Sequence, residues 1–316
     1  MASPHIDAYV EPHLSWRTLG PDDADELDHF RTQLEALDNS VLAGIAEGMT
    51  GGAPAIVPGQ AVGGWDHYDS LSAYGLNYIS ANPDPRAYLM GGVHPTHRHL
   101  GIGTSLFRWQ IAQAISWRDE HHPGRPLWLG SYAELGRPGL DRVARHYDFT
   151  PERYYYDLHR DLTVPIPLWV PEGVRLAPFV PQASEAVRRL HNICSQPLGG
   201  AEVTEDVWAD RLCAADFRPD WSFLATVEGR VVGYAMSGIE EGGGGWTERF
   251  GVDPAHRGRG ISLALLASCL RAMRDSGCTE AGIGIDTPDG VGVQRLAAEL
   301  GYTTRDAVAL LSKVVT

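Results

Sequence analysis

Two stretches of this sequence bring basic, small and proline residues together in one order: Val93–Thr104, VHPTHRHLGIGT, and Val252–Leu263, VDPAHRGRGISL, 159 positions apart. Each reads as a strand ending at Val-x-Pro, a basic turn, and the start of a long helix. Glycine in such a turn lets the backbone pass close to a ligand, and the first N–H groups of the following helix have no intrahelical acceptor. Those donors, with the positive end of the helix dipole, suit a phosphate or pyrophosphate. The side chains agree in sign: His97, Arg98 and His99 crowd the first turn, and His256, Arg257 and Arg259 the second. Arginine adds a forked, permanently charged donor. One such turn alone is as well explained by an ordinary tight connection; two matching copies favour a pair of anion pockets.

The surrounding elements repeat too. In the first half the patterns predict a strand over Leu14–Leu19, a helix over about Asp22–Leu37, strands at Leu71–Ile79 and Ala87–Val93, and a helix whose Phe107, Ile111, Ala114 and Ile115 share one face. A strand at Pro126–Gly130, a helix at Gly139–His146 and a last strand at Arg153–His159 follow. Residues 44 to 64, rich in Gly and Pro, read as a long connection or a loop near a site. The second half restarts with Val174–Pro178, a helix over about Gln182–Ile193, strands at Trp221–Val227, Val231–Ile239 and Trp246–Val252, a helix with Leu266, Cys269, Leu270 and Met273 on one stripe, and a strand at Ala281–Ile285.

At 316 residues the chain is long enough for two domains, each with its own core. Its net charge of −14 argues against general affinity for nucleic acid or anionic membrane and is compatible with a cationic small molecule. No run of about 18 apolar residues and no signal-peptide pattern occurs, so a cytoplasmic protein without a membrane span is expected. Cys194, Cys213, Cys269 and Cys278 form no C-x-x-C pair and read as reduced, buried or inert thiols. His94, His97 and His99 lack the helical spacing and carboxylate partner of a metal site, so no metal is expected.

A P-loop and a dinucleotide G-x-G-x-x-G motif are both absent. The pattern that fits is R-x-x-G-x-G/A after V-x-P. The segment Arg98–Gly103 matches in full, and Arg257–Ser262 matches except that Ser262 stands where Gly or Ala is usual. On these residues the chain resembles the GCN5-related N-acetyltransferase (GNAT) superfamily, whose members bind the pyrophosphate of acetyl-CoA on this loop. The likeness covers nearly the whole chain, since each half closes on a helix and a short aromatic element, His146–Phe149 and Leu300–Tyr302. It is greatest to tandem members of actinobacterial type, such as mycothiol synthase.

The resemblance implies two tandem α/β (α+β) domains, each a mixed, mostly antiparallel sheet flanked by helices: residues 1–162 and 174–316, joined by a Pro-rich linker at 163–173. It implies acetyl-CoA as co-substrate, held by Val93, His94, Arg98, His99, Leu100, Gly101, Ile102, Gly103 and Thr104 in the first half. In the second half the matching set is Val252, Asp253, Arg257, Gly258, Arg259, Gly260, Ile261 and Ser262. It implies a primary amine of a small molecule as acceptor, with the C-terminal domain catalytic.

The implied reaction is direct attack of a neutral amine on the thioester, which needs a base, an oxyanion donor and an acid for the departing thiolate. The backbone donor would lie at Gly92–His94 and Gly251–Asp253. The tyrosine that relatives use as acid is replaced by Ala144 and Ala297, with Tyr147 and Tyr302 expected in the core; thiolate can leave without an acid because thiols are fairly acidic. Glu248, on the strand entering the second loop, is the candidate base. Glu240 and Glu241 are weaker candidates for attracting a cationic acceptor. The first half has no carboxylate from Ala87 to Val93, which also favours the C-terminal site. Asp289 would contact the pantetheine arm or form a turn. The rival reading is a degenerate fold that binds acyl-CoA as a sensor or scaffold without turnover; acetylation of protein lysines is a third.

Overall fold

The structure, a computed structural model, describes residues 12–40, 42, 56, 59–80, 84–196, 201–240 and 242–316. The chain forms two compact units, and neither is a contiguous block. The first contains Met1–Tyr154 and Asp306–Thr316; the second contains Tyr155–Arg305.

In the first unit β1 (Ser15–Thr18), α1 (Ala24–Asp38), β2 (Ala61–Trp65), β3 (Leu71–Ser80), β4 (Arg86–Val93), α2 (Ile102–His121), β5 (Leu127–Glu134) and α3 (Pro138–His146) follow in order. The sheet runs β1-β2-β3-β4-β5-β12, where β12 is the chain's last strand, Thr303–Val315. All neighbours are antiparallel except β4 and β5, which pair in parallel only from Arg86↔Trp128 to Tyr88↔Gly130 and then part. The predicted face of α2 is the one that packs: Phe107 and Ala114 are buried with Ile111 and Ile115 against them. The glycine-rich connection contains a strand that the pattern hid, β2. Its glycines serve packing, since a Cβ on Gly63 would stand 2.5 Å from the Trp65 ring and one on Gly64 2.8 Å from Trp16.

The second unit repeats the plan with β7 (Arg175–Pro178), α4 (Ser184–Ser195), α5 (Glu205–Leu212), β8 (Phe223–Val227), β9 (Arg230–Ile239), β10 (Gly245–Val252), α6 (Ile261–Asp275), β11 (Glu280–Thr287) and α7 (Val291–Leu300). Its sheet order is β6-β11-β10-β9-β8-β7, with β6 at Thr150–Asp161. Leu266, Cys269, Leu270 and Met273 are all fully buried on α6, as their spacing predicts.

The division at 1–162, 163–173 and 174–316 therefore needs revision. β6 begins in the first unit and ends in the second, where Leu158 and Leu162 join the core. β12 supplies the first unit with Val308–Val315, paired antiparallel to Leu127–Glu134, and buries Ala309 and Leu311 in that unit's core. The last strand of each repeat is thus exchanged. The linker is part of the second unit: Ile166 is buried in its core and its carbonyl accepts two bonds from Arg271.

Among the described residues no helix is long and apolar enough to cross a membrane, and no group of His, Cys, Asp and Glu is arranged to hold a metal. Cys194 and Cys269 are buried as expected, and burial pushes the Cys269 thiol up to about 12. Cys213 departs from expectation: it is exposed just past the end of α5.

Candidate active site

Both glycine loops have one construction. A single turn of 3-10 helix follows the strand, capped by the side chain of His94 in the first unit and Asp253 in the second, each accepting from the N–H two residues on. An imidazole nitrogen thus does in one copy what a carboxylate does in the other, which explains His94 without a metal. Thr96 bridges His94 and His97 through its hydroxyl. The loops then pass through the left-handed region at His99 and Gly101, and at Gly258 and Gly260. Gly101 and Gly260 stand at the N-caps of α2 and α6, and neither helix has a side-chain cap there.

A Cβ at Gly101 or Gly258 would meet nothing within 4 Å. At Gly260 a Cβ would meet the Trp169 ring at 3.2 Å. The N–H groups at residues 102–104 and 261–263 have no intrahelical acceptor, an arrangement that fits a pyrophosphate. Val93, Leu100, Gly103, Thr104, Val252 and Ser262 lie in or beside these loops, and Ile102 and Ile261 are buried in the two cores.

The motif arginines do something other than expected. Each folds back on its own strand: Arg98 Nε donates to the Val93 carbonyl at 2.9 Å, and Arg257 Nε to that of Val252 at 3.2 Å. In the first unit both remaining guanidinium nitrogens are taken by Asp38, at 2.9 and 2.6 Å. Arg98 is a loop staple. Of the second loop's basic residues, Arg259 donates to the Glu172 carbonyl at 3.1 Å.

Just before each loop the two central strands diverge, and here the units differ. In the first, β4 is regular, and its backbone after Tyr88 is met by the unit's own side chains: Ser131 Oγ donates to the Leu89 carbonyl at 2.8 Å and Gln110 Nε2 to that of Met90 at 2.7 Å. A cavity of about 160 Å³ remains beside this strand, lined by Tyr74, Tyr88, Gly92, Glu35, Asp38 and Glu134 among others. Carboxylates absent from β4 are thus brought to the cavity from α1, its C-terminal end and β5.

In the second unit β10 pairs with β11 only from Gly245↔Ala281 to Thr247↔Ile283, and a β-bulge falls between Thr247 and Arg249. Glu248 is the bulged residue. Bulges re-aim side chains and interrupt a ladder. The strand register places Gly284 where the first unit has Ser131, and the 159-residue repeat places Cys269 where it has Gln110, so this splayed backbone has no equivalent side-chain plug.

Glu248 does not stand alone. It is ion-paired to Arg211 of α5 and lies 3.3 Å from Arg249 Nε. Arg211 also makes two 3.0 Å bonds to Asp216, and that guanidinium holds the Asp216 carboxyl below the usual carboxylate range. Arg249 donates to His191 Nε2 at 3.4 Å, which leaves the imidazole proton on Nδ1 to donate to the Tyr234 oxygen at 2.7 Å. Burial, then the Arg249 charge, pushes His191 below its ordinary value, so it is neutral beside the bulge. Burial raises Tyr234. Its ring packs on Gly251, where a Cβ would lie 2.8 Å away.

Of the other expected residues, Glu240 caps the turn before β10 through its backbone and Glu241 lies outside the described residues. Asp289 is a turn former, its carboxylate accepting from Val291 N–H at 3.0 Å. Tyr302 is buried in the second core and Tyr147 packs on the first. Arg211 and His191 were not singled out by sequence. The Thr204-Glu-Asp start of α5 is a readable helix signal, but nothing local indicates which way Arg211 turns.

Residues 185–302 match the Acetyltransferase (GNAT) family. The chain is 30% identical over 246 residues to a mycothiol acetyltransferase of Thermobispora bispora, covering 75% of this chain and 78% of that one. A GCN5-related N-acetyltransferase from Sphaerobacter thermophilus superposes with a TM-score of 0.65 at 22% identity, covering 95% of both chains. A tandem GNAT protein from the clavulanic acid biosynthesis pathway does so at 0.53 and 14% identity, covering 95% of this chain and 98% of that one. This chain belongs to the GNAT family, whose members use acetyl-CoA, and is an N-acetyltransferase.

Proposed function

We propose that the second unit transfers an acetyl group from acetyl-CoA to a primary amine of a small molecule by direct attack on the thioester, and that the first unit does not turn over. The observation that carries this reading is the contrast at the splayed strands. In the first unit Ser131 and Gln110 already occupy the β4 carbonyls and Asp38 locks Arg98. In the second, Gly284 leaves the bulged β10 unplugged directly before a glycine loop of the same build. A glycine inside a strand often marks the close approach of a ligand.

Acetyl-CoA supplies the activated acyl group. The N–H groups at 258–262 would bind its pyrophosphate, and a backbone N–H at Gly251 or Val252 would donate to the thioester carbonyl, that of Asp253 being bonded to the Val232 carbonyl at 2.9 Å. Glu248 would take the ammonium proton, directly or through a water, once an incoming amine displaces it from Arg211. Asp216 keeps Arg211 in place during that exchange. Arg249 Nε, which donates to the same carboxylate at 3.3 Å, would have to release it as well, and neutral His191 gives that guanidinium a second acceptor. Thiolate would leave without a protein acid, consistent with alanine at 144 and 297 and with Tyr302 buried.

The name of the relatives makes a mycothiol-related amine the first acceptor to test, followed by a panel of primary amines. Free thiol release from acetyl-CoA should rise above the water-only rate with at least one of them. Acetyl-CoA binding with no turnover on any amine would favour the sensor reading.

A further inference from the structure

We propose that Trp169 is a stacking platform for the adenine of coenzyme A at the second loop. This rests on the reading that the loop from Asp253 to Ser262 holds the pyrophosphate. The indole belongs to the linker and lies against that loop: its Cζ3 is 3.2 Å from where a Cβ on Gly260 would stand. Gly260 is the N-cap of α6, so the ring borders the start of that helix directly.

Trp169 is nevertheless 68% exposed, an unusual state for the side chain with the largest apolar face. Chain mobility does not account for it. Three residues before it, the buried Ile166 gives its carbonyl to Arg271 Nε and Nη2 at 3.1 and 2.7 Å. Three residues after it, the Glu172 carbonyl accepts from Arg259. Pro167 and Pro171 stiffen the span between the clamps. A fixed, solvent-facing indole is preorganised to receive a flat partner, and little ordering cost remains on binding.

Adenine is the flat group that the loop itself would deliver, because it is tethered to the pyrophosphate through one ribose. Arg259, a member of the same turn, supplies a cation there for the nucleotide's remaining phosphate.

The test titrates CoA and pantetheine, which lacks the nucleotide, into the full chain by calorimetry and tryptophan fluorescence, in a Gly101→Val background that removes the first loop's contribution. Trp169→Ala should weaken CoA about tenfold, within the range seen when a stacked base loses its aromatic partner. Pantetheine affinity should not change, and Trp169→Phe should retain most of the CoA affinity. CoA should quench fluorescence less in Trp169→Ala although eight of the nine tryptophans remain. Unchanged CoA affinity in Trp169→Ala, or equal losses for CoA and pantetheine, would overturn the platform. Gly260→Val separates the underlying reading: if it abolishes CoA binding while Trp169→Ala does not, the loop assignment stands without the platform, and if CoA binding survives it, the loop assignment fails.

Discussion

Replacing Glu248 by Gln isolates the proton-accepting role from the structural one. The carboxylate and Arg211 are each about a quarter exposed, so their pair is partly screened and its removal should cost at most about 1 kcal/mol of stability. Arg211 keeps both bonds to Asp216, and Arg249 keeps His191 and its place over the Trp208 ring. No buried charge is orphaned, and the amide can still accept from Arg211. A general base contributes about 10²- to 10⁴-fold to rate, which corresponds to roughly 3–5 kcal/mol of transition-state stabilisation. The variant should therefore unfold within about 1 kcal/mol of the parent in urea and lose at least about a hundredfold in kcat/KM for the best amine. Its rate should also rise more steeply with pH, because only amine already deprotonated in solution can react. A kcat/KM within about threefold of the parent, with the same pH profile, would refute Glu248 as the base.

Installing the first unit's plug in the second, by Gly284→Ser, should be sterically tolerated because a Cβ there lies 3.6 Å from Trp246; acetyl-CoA affinity and kcat/KM should both fall at least about tenfold with Tm nearly constant, and full activity would discount the splayed-strand argument. Leu311→Ala deletes a fully buried side chain of the exchanged strand and should cost about 2–5 kcal/mol. Hydrogen exchange should show that loss in Phe107, Leu129 and their neighbours in the first core; a loss confined to the second unit would contradict the exchange. His191 titrates below its ordinary value of 6.5, so its contribution to stability is complete above that pH and is lost as pH falls through the depressed native value. The Tm advantage of the parent over His191→Gln should shrink between pH 8 and 5.5, and an advantage that grows on acidification would reverse the assigned sign.

Much of this was legible in the chain because it depends on local pattern. The repeat, the loops, and the buried faces of α2 and α6 follow from residues close in sequence. The strand exchange was not legible: β6 and β12 have the same pattern whichever sheet they join, and pairing Val308 with Glu134 closes a loop that no local signal records. Long-range polar partners were hidden for the same reason. Asp38 is 60 positions from Arg98, and Ser131 is 42 from the carbonyl it caps. The bulge that turns Glu248 toward Arg211 shifts register by one residue and leaves no mark in the alternation of β10.

In the proposed mechanism only the second of the two similar loops serves catalysis. Gly260 and Gly101 both have positive φ, at 83° and 88°, where valine is strained. Steady-state thiol release by Gly260→Val and Gly101→Val, measured side by side with the same amine, compares them directly. The account predicts that Gly260→Val abolishes turnover while Gly101→Val retains it; turnover that survives at residue 260 and is lost at residue 101 would contradict it.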